Sequence, residues 1–134
     1  MAGLLLDTNH LSEAIRRTSK VRPRLRERMQ HGVRVGTCVP VLCELEAGIV
    51  QTRRPASCRH ILDDLLHEIR VWPVDRELAR TFGELYFEIV RGGHVLSHVD
   101  IVLAALARTM RLTILTTDRD FEALPDIQTE NWLN

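Results

Sequence analysis

Gly3-Leu-Leu-Leu-Asp-Thr-Asn9 is the stretch on which the fold turns. A short apolar run that ends abruptly at an acid reads as a buried strand over Gly3 to Leu6. Leu112-Thr-Ile-Leu-Thr-Thr-Asp118 repeats the pattern late in the chain, with a strand over Leu112 to Leu115 and another acid just beyond it. Between these two runs, helix and strand signals alternate. Asn9 to Arg17 reads as a short helix, and Val21, Leu25 and Met29 form a narrow helical stripe that ends at Gly32. Val33, Val35 and Cys38 suggest a second strand. Pro40 opens a helix with Val41, Leu42, Leu45 and Ile49 on its apolar side. Gly48 inside it costs roughly 1 kcal/mol against Ala, so it is expected to permit close packing.

The second half continues the rhythm. Ser57 is expected to cap a helix through Leu62, Leu65, Leu66 and Ile69. Val71 to Val74 reads as a strand that Pro73 places at an edge or a strand end. Asp75 caps a long helix through Leu78, Phe82, Leu85, Tyr86 and Ile89, stopped by Gly92-Gly93. Ser97 caps Ile101 to Ala107, apolar almost all round and therefore a central buried helix. Asp120 to Leu124 forms a helical turn, and Ile127 to Thr129 a last strand. Strands and helices in this order mean an α/β fold with a mainly parallel sheet. The 134 residues suit one domain, 1–134, because two halves would each be too small for a core.

Composition narrows the class further. With 45% hydrophobic and 27% charged residues the chain is neither disordered nor a disulfide scaffold. No apolar run approaches the roughly 18 residues of a membrane span, and the N-terminus lacks a basic signal region, so a cytoplasmic protein is expected. Cys38, Cys43 and Cys58 are odd in number and lack C-x-x-C spacing, which predicts free thiols. The net charge of zero hides an asymmetry. Residues 16–28 carry seven cations against Glu27, a local +6, so the rest of the chain carries −6. Such an arm suits contact with a polyanion, or else a solvated helix face.

Four acids stand apart from the others. Asp7 and Asp118 fall at strand ends, where open parallel sheets collect ligands. Asp100 opens the most apolar helix, and Glu44 lies one turn into the helix begun by Pro40. All four are embedded in apolar sequence, whereas Asp63, Asp64, Glu68, Glu77, Glu84 and Glu88 lie on polar helix faces. A carboxylate beside a core is costly unless paired, capping or holding a cation. Local duties are open to three of them: Ser97-x-x-Asp100 suits a capping box, Asp7 suits a cap for the helix near Asn9, and Asp118 a cap for the turn after it. Glu44 has no such duty. Together, four acids with few cations near them call for a divalent ion, and oxygen-only ligation suits Mg²⁺ or Mn²⁺. Sites of that kind activate water in phosphodiester hydrolysis. His94 and His98 are four apart, but the cap at Ser97 falls between them, so they are not expected to share a helix face. No G-x-S-x-G, P-loop or G-x-G-x-x-G is present.

The ordered set of motifs resembles one family, the PIN-domain nucleases, and in particular the toxins of VapBC-type toxin–antitoxin pairs. Leu4-Leu-Leu-Asp-Thr-Asn9 resembles the family's opening strand and first acid. Thr37-Cys-Val-Pro-Val-Leu-Cys-Glu-Leu-Glu-Ala-Gly48 resembles its E-L-x-x-G helix, Ser97-His-Val-Asp-Ile-Val-Leu-Ala-Ala-Leu-Ala107 its D-x-x-x-A-A-x-A helix, and Leu115-Thr-Thr-Asp-Arg-Asp-Phe121 its T-x-D-x-D-F segment. The resemblance implies a three-layer α/β/α sandwich around about five short strands. It implies Mg²⁺-dependent cleavage of RNA, a homodimer, and an antitoxin whose tail covers the acidic site. Asp7, Glu44, Asp100 and Asp118 become the catalytic, metal-binding acids, with Asp120 as the alternative to Asp118 and Thr116 as a supporting hydroxyl. Arg22, Arg24, Arg26 and Arg28 are then expected to meet RNA phosphates or the antitoxin. Residues 50–95 match in helical character alone. A catalytically inactive PIN-like binding module is the alternative from another class. A phosphoacceptor receiver lacks its late lysine here, since Lys20 is the one lysine, and a haloacid-dehalogenase phosphatase would need an acid where Asn9 stands.

Overall fold

A computed structural model of the chain describes residues 2–133. The elements in order are β1 (Gly3–Leu6), α1 (Thr8–Ala14), α2 (Val21–Gln30), β2 (Arg34–Cys38), α3 (Val39–Ile49), α4 (Pro55–Glu68), β3 (Arg70–Trp72), α5 (Arg76–Arg91), α6 (His98–Met110), β4 (Thr113–Leu115), a 3₁₀ turn (Arg119–Ala123) and β5 (Thr129–Glu130). The strands form one sheet in the order β3-β2-β1-β4-β5, every neighbouring pair parallel, with six helices flanking it. β1 is central because nothing polar interrupts it; all four of its residues are buried. Its Leu5 lies opposite Gly36 of β2 and Ile114 of β4. From β1 the chain progresses to β2 and β3 on one side, then returns to place β4 and β5 on the other. The order therefore reverses between β1 and β4, and the carboxyl ends of those two strands flank the crevice where such sheets bind ligands.

Burial follows the periodicity. In α6, Ile101, Leu103, Ala104, Ala105, Leu106 and Ala107 are all buried, as its apolar circumference demands. Gly92 and Gly93 end α5, the second with φ +75°, and Gly32 ends α2 with φ +82°. Among the described residues no helix is long and apolar enough to cross a membrane.

Three expectations are corrected. The fourth helix starts at Pro55 rather than after a Ser57 cap: proline at the first helical turn has its φ already set and lacks the N–H that a cap would serve. The last strand is Thr129–Glu130, not Ile127 to Thr129, because Ile127 is buried in the core below the sheet edge while Thr129 pairs with Ile114. Gly48 does not serve close packing: a Cβ there would meet nothing within 4 Å. Close approach occurs at Gly36 instead, where a Cβ would lie 2.6 Å from both the Arg70 carbonyl oxygen and the Trp72 ring.

The two glycines should thus respond oppositely to the same substitution. Gly36→Ala is expected to lower stability in urea denaturation by about 1–3 kcal/mol through overpacking. Gly48→Ala should raise it by about 0.5–1 kcal/mol through helix propensity. Equal effects at the two positions would contradict this packing.

Candidate active site

β1 and β4 run side by side in register, Leu6 opposite Leu115, so the residues that follow them leave the sheet together. The Asp7 N–H donates to the Leu115 carbonyl at 3.0 Å, extending the ladder by one bond. Above it, the Thr116 hydroxyl donates to Asp7 Oδ2 at 2.7 Å, and the Thr8 N–H donates to Asp7 Oδ1 at 2.7 Å. Thr116 Oγ1 in turn accepts the Asp118 N–H at 3.0 Å. One buried threonine therefore fixes the first acid and the loop that carries the fourth.

Each local duty weighed for the acids is present, and none removes the acid from the site. Asp7 caps α1 through Thr8. Asp118 caps the 3₁₀ turn by accepting the Asp120 N–H at 2.8 Å. Ser97 Oγ accepts the Asp100 N–H at 3.1 Å, and the Ser97 hydroxyl and the Asp118 carboxyl are the hydrogen-bond neighbours of the Asp100 carboxyl. Asp100, Asp118 and Asp120 each bring a carboxylate oxygen within 4.8 Å of the others, a group able to hold a metal ion. Asp7 is buried behind them. Glu44 is exposed at the rim, not embedded as its apolar neighbours suggested, and its Oε1 accepts the Thr8 hydroxyl at 2.6 Å. Asp120, read from sequence as an alternative to Asp118, stands with it: the cap bond from the Asp120 N–H to Asp118 Oδ1 draws the two residues together, and both carboxylates reach Asp100.

The electrostatics record the crowding. Burial pushes the Asp7 carboxyl up; the Thr116 and Thr8 bonds oppose this, and the Glu44 and Asp118 charges add to it. Asp100 is raised to about 6, first by burial and then by the charges of Asp7 and Asp118. The donors are hard oxygens and the cluster repels itself, which suits a hard divalent cation.

The basic arm is less free than its composition implies. Arg22 donates to the carbonyls of Ala14, the last residue of α1, and of Arg16 and Arg17 beyond it. Arg26 forms a two-pronged pair with Glu68, both bonds 2.9 Å. Arg24 and Arg28 lie over the Trp132 ring, at 4.0 and 5.2 Å from its centre. Beside the acids, a groove of about 560 Å³ runs from Thr8 and Glu44 between α1 and α3, with Ile15, Leu45 and Ile49 on its floor and Arg16 among its lining residues. His94 lies in the loop before α6, and His98, at the start of α6, packs edge-on against Phe82.

Comparison with known proteins follows the same lines. Residues 4–127 match the PIN domain. The chain is 26% identical over 135 residues to Ribonuclease VapC2 of Haemophilus influenzae, covering 99% of this chain and all of that one. It is 30% identical over 98 residues to Ribonuclease VapC5 of Mycobacterium tuberculosis, covering 68% and 69% of the two chains. The crystal structure of DNA-bound VapBC from Salmonella typhimurium superposes with a TM-score of 0.84 at 25% identity, over 98% of this chain and 99% of that one.

The raised acids give a pH test with a definite sign. The folded state holds protons that the unfolded chain releases near the ordinary aspartate value of 3.8, so this contribution to stability is whole below that value and is lost as pH rises through about 6. Without added metal, Asp100→Asn should therefore gain on the wild type between pH 4 and 7. After allowance for solvent screening the gain is on the order of 1–2 kcal/mol, a few degrees in Tm. Melting curves in which the two proteins keep a constant difference across that range would rule out a raised Asp100 carboxyl.

Proposed function

This chain belongs to the PIN-domain family, and on that premise we propose that it is a Mg²⁺-dependent endoribonuclease (Mn²⁺ serving as well) acting through the acids above β1 and β4. It is a VapC-type ribonuclease toxin of a type II toxin–antitoxin system. The observation that carries the mechanism is the convergence of Asp7, Asp100, Asp118 and Asp120, with Glu44 at the rim, on the one crevice where the strand order reverses. We read residues 1–134 as one nuclease domain working in the cytoplasm, where its RNA substrate is found.

Asp100, Asp118 and Asp120 would hold the cation, with Asp7 behind them as a further ligand or as the charge that strengthens their hold. A divalent ion there supplies Lewis acidity toward water and phosphate. Thr116 keeps Asp7 aligned, and Glu44, oriented by Thr8, is placed to hydrogen-bond the attacking water and receive its proton. Water adds to phosphorus and the 3′ oxygen departs with a proton, leaving a 3′-hydroxyl and a 5′-phosphate. The other route, attack by the 2′-hydroxyl, wants an acid and a base, commonly two histidines. His94 and His98 do not supply that pair, one lying in a loop and the other packed against Phe82. The groove beginning at Thr8 and Glu44 is where a segment of the cognate antitoxin would lie, its end reaching over the acids. Exposed Tyr86, Phe87 and Val90 on α5 suit self-association as a homodimer. Of the four arm arginines assigned to RNA or antitoxin, Arg24 and Arg28 retain guanidinium edges for a phosphate, whereas Arg22 and Arg26 serve the fold first.

The test is product chemistry. Cleavage of a mixed RNA pool should require Mg²⁺, stop in excess EDTA, and leave 5′-phosphate ends. Removal of a residue that merely supports a metal ligand costs about 10–100-fold, so Asp100→Asn or Asp118→Asn should lower activity by more than about 100-fold. A 2′,3′-cyclic phosphate, or full activity in EDTA, would overturn the mechanism.

A further inference from the structure

His10 is fully buried on α1, one position beyond the Asp-Thr-Asn run, and nothing in the hydrolytic reading uses it. Its two ring nitrogens have fixed and different partners. The backbone N–H of Trp132 points at Nε2 across 2.9 Å. A backbone N–H can only donate, so Nε2 carries a lone pair, and in the neutral ring the proton then sits on Nδ1. Burial holds the ring neutral by lowering its pKa to about 4. The Nδ1–H donates to Asn9 Oδ1 at 2.7 Å. With its oxygen committed, Asn9 turns its NH₂ outward, and Nδ2 donates to Thr117 Oγ1 at 2.9 Å. Every donor and acceptor along this path is set by the one backbone N–H at its start.

The path joins two parts of the chain far apart in sequence. At one end Trp132 is clamped by the Arg24 guanidinium over its ring and by its own indole N–H to Glu130 Oε1 at 3.0 Å. At the other end stands Thr117, between Thr116, which holds Asp7, and Asp118. The same loop is also tied to β5, since the Thr116 N–H donates to the Glu130 carbonyl at 3.0 Å.

We propose that His10 is a positioning residue: through Asn9 and Thr117 it holds the Thr116–Asp118 loop in place over β1, and the docked Trp132 segment sets the tautomer that lets it do so. The inference deepens the hydrolytic reading and rests on it for the role of Asp118. Any neutral ring that accepts the Trp132 N–H must carry a proton on Nδ1; what marks this one is where that proton goes, to an Asn9 whose amide meets the Thr117 hydroxyl.

Amide side chains separate the two halves of the ring. His10→Asn keeps a donor where Nδ1 stands and gives up the reach to Trp132; His10→Gln keeps an acceptor where Nε2 stands and gives up the donor to Asn9. Thr117→Val removes the far end of the path at an exposed position where folding is not at stake. In Mg²⁺-dependent RNA cleavage, His10→Gln and Thr117→Val should each lower kcat by about 10–100-fold with KM little changed. His10→Asn should restore most of the rate, and the His10→Gln/Thr117→Val double variant should be no slower than the worse single, because both cut one path. Two readouts stand apart from activity. Ring ¹⁵N shifts of His10 in the wild type should show Nδ1 protonated at neutral pH. The Asp118 amide resonance should move in His10→Gln and Thr117→Val and hold its place in His10→Asn. An Nε2-protonated ring, or an Asp118 amide indifferent to His10→Gln and Thr117→Val, would overturn the inference. A wild-type protein without Mg²⁺-dependent cleavage would overturn the hydrolytic reading instead, and the two NMR readouts would still decide the positioning path.

Discussion

Like charges gathered at strand ends must be held against their own repulsion, and most of this structure can be understood as the means of holding them. A parallel sheet brings every strand to the same edge pointing the same way, so the residues after β1 and β4 emerge side by side whether or not they attract one another. The register that pairs Leu6 with Leu115 puts Asp7 against Thr116, and the hydroxyl of Thr116 turns a costly buried carboxylate into a hydrogen-bonded one. The apolar surface of β1 and α6 supplies the stability that lets the fold carry the remaining repulsion. At the crevice Asp7 and Asp100 are both raised, first by burial and then by the charges of their acidic neighbours.

The parts legible in the sequence are those that one periodicity decides. An uninterrupted Leu4-Leu-Leu6 run is a central strand, and Ile101 to Ala107, apolar on all sides, is a central helix. An acid directly after a strand lies at the sheet's carboxyl edge. The parts that could not be read depend on contacts between segments. Glu44 sits in apolar sequence, yet the register of α3 turns it outward to the rim, where Thr8 holds it. Asp120 joins Asp118 because the extended Asp118 caps the 3₁₀ turn through the Asp120 N–H, and both carboxylates come within reach of Asp100; sequence spacing alone offered them as alternatives. His10 has the local context of an ordinary apolar helix position. Its meaning comes from Trp132, over a hundred residues away.

The basic arm shows why composition is not surface potential. A local charge of +6 promised a cationic face, but Arg22 donates to the Ala14 carbonyl at the end of α1, where the helix dipole also favours a cation, and to the Arg16 carbonyl just past it. Arg26 is neutralised by Glu68 in a two-pronged pair. Arg24 and Arg28 set their guanidinium groups over the Trp132 ring and so brace the segment that carries it. The arm thus works inward as well as outward, bracing the same segment that meets His10.

The cost of the site is stored as charge, not as bent backbone. Asp7 and Asp118 occupy ordinary extended conformations, and among the described non-glycine residues only Arg111, at the end of α6, has a positive φ. Strain of the conformational kind would be relieved only by moving atoms, which would spoil the geometry that chemistry requires. Repulsion between carboxylates is relieved by a proton or a cation arriving at fixed positions, with the scaffold of β1, β4 and the Thr116 bond left as it was. Preorganisation here therefore resides in neutral groups: hydroxyls, an asparagine amide, a neutral imidazole and backbone N–H donors, none of which changes charge when the acids do. A framework built from groups that do not titrate keeps its shape while the acids it positions gain and lose their charge.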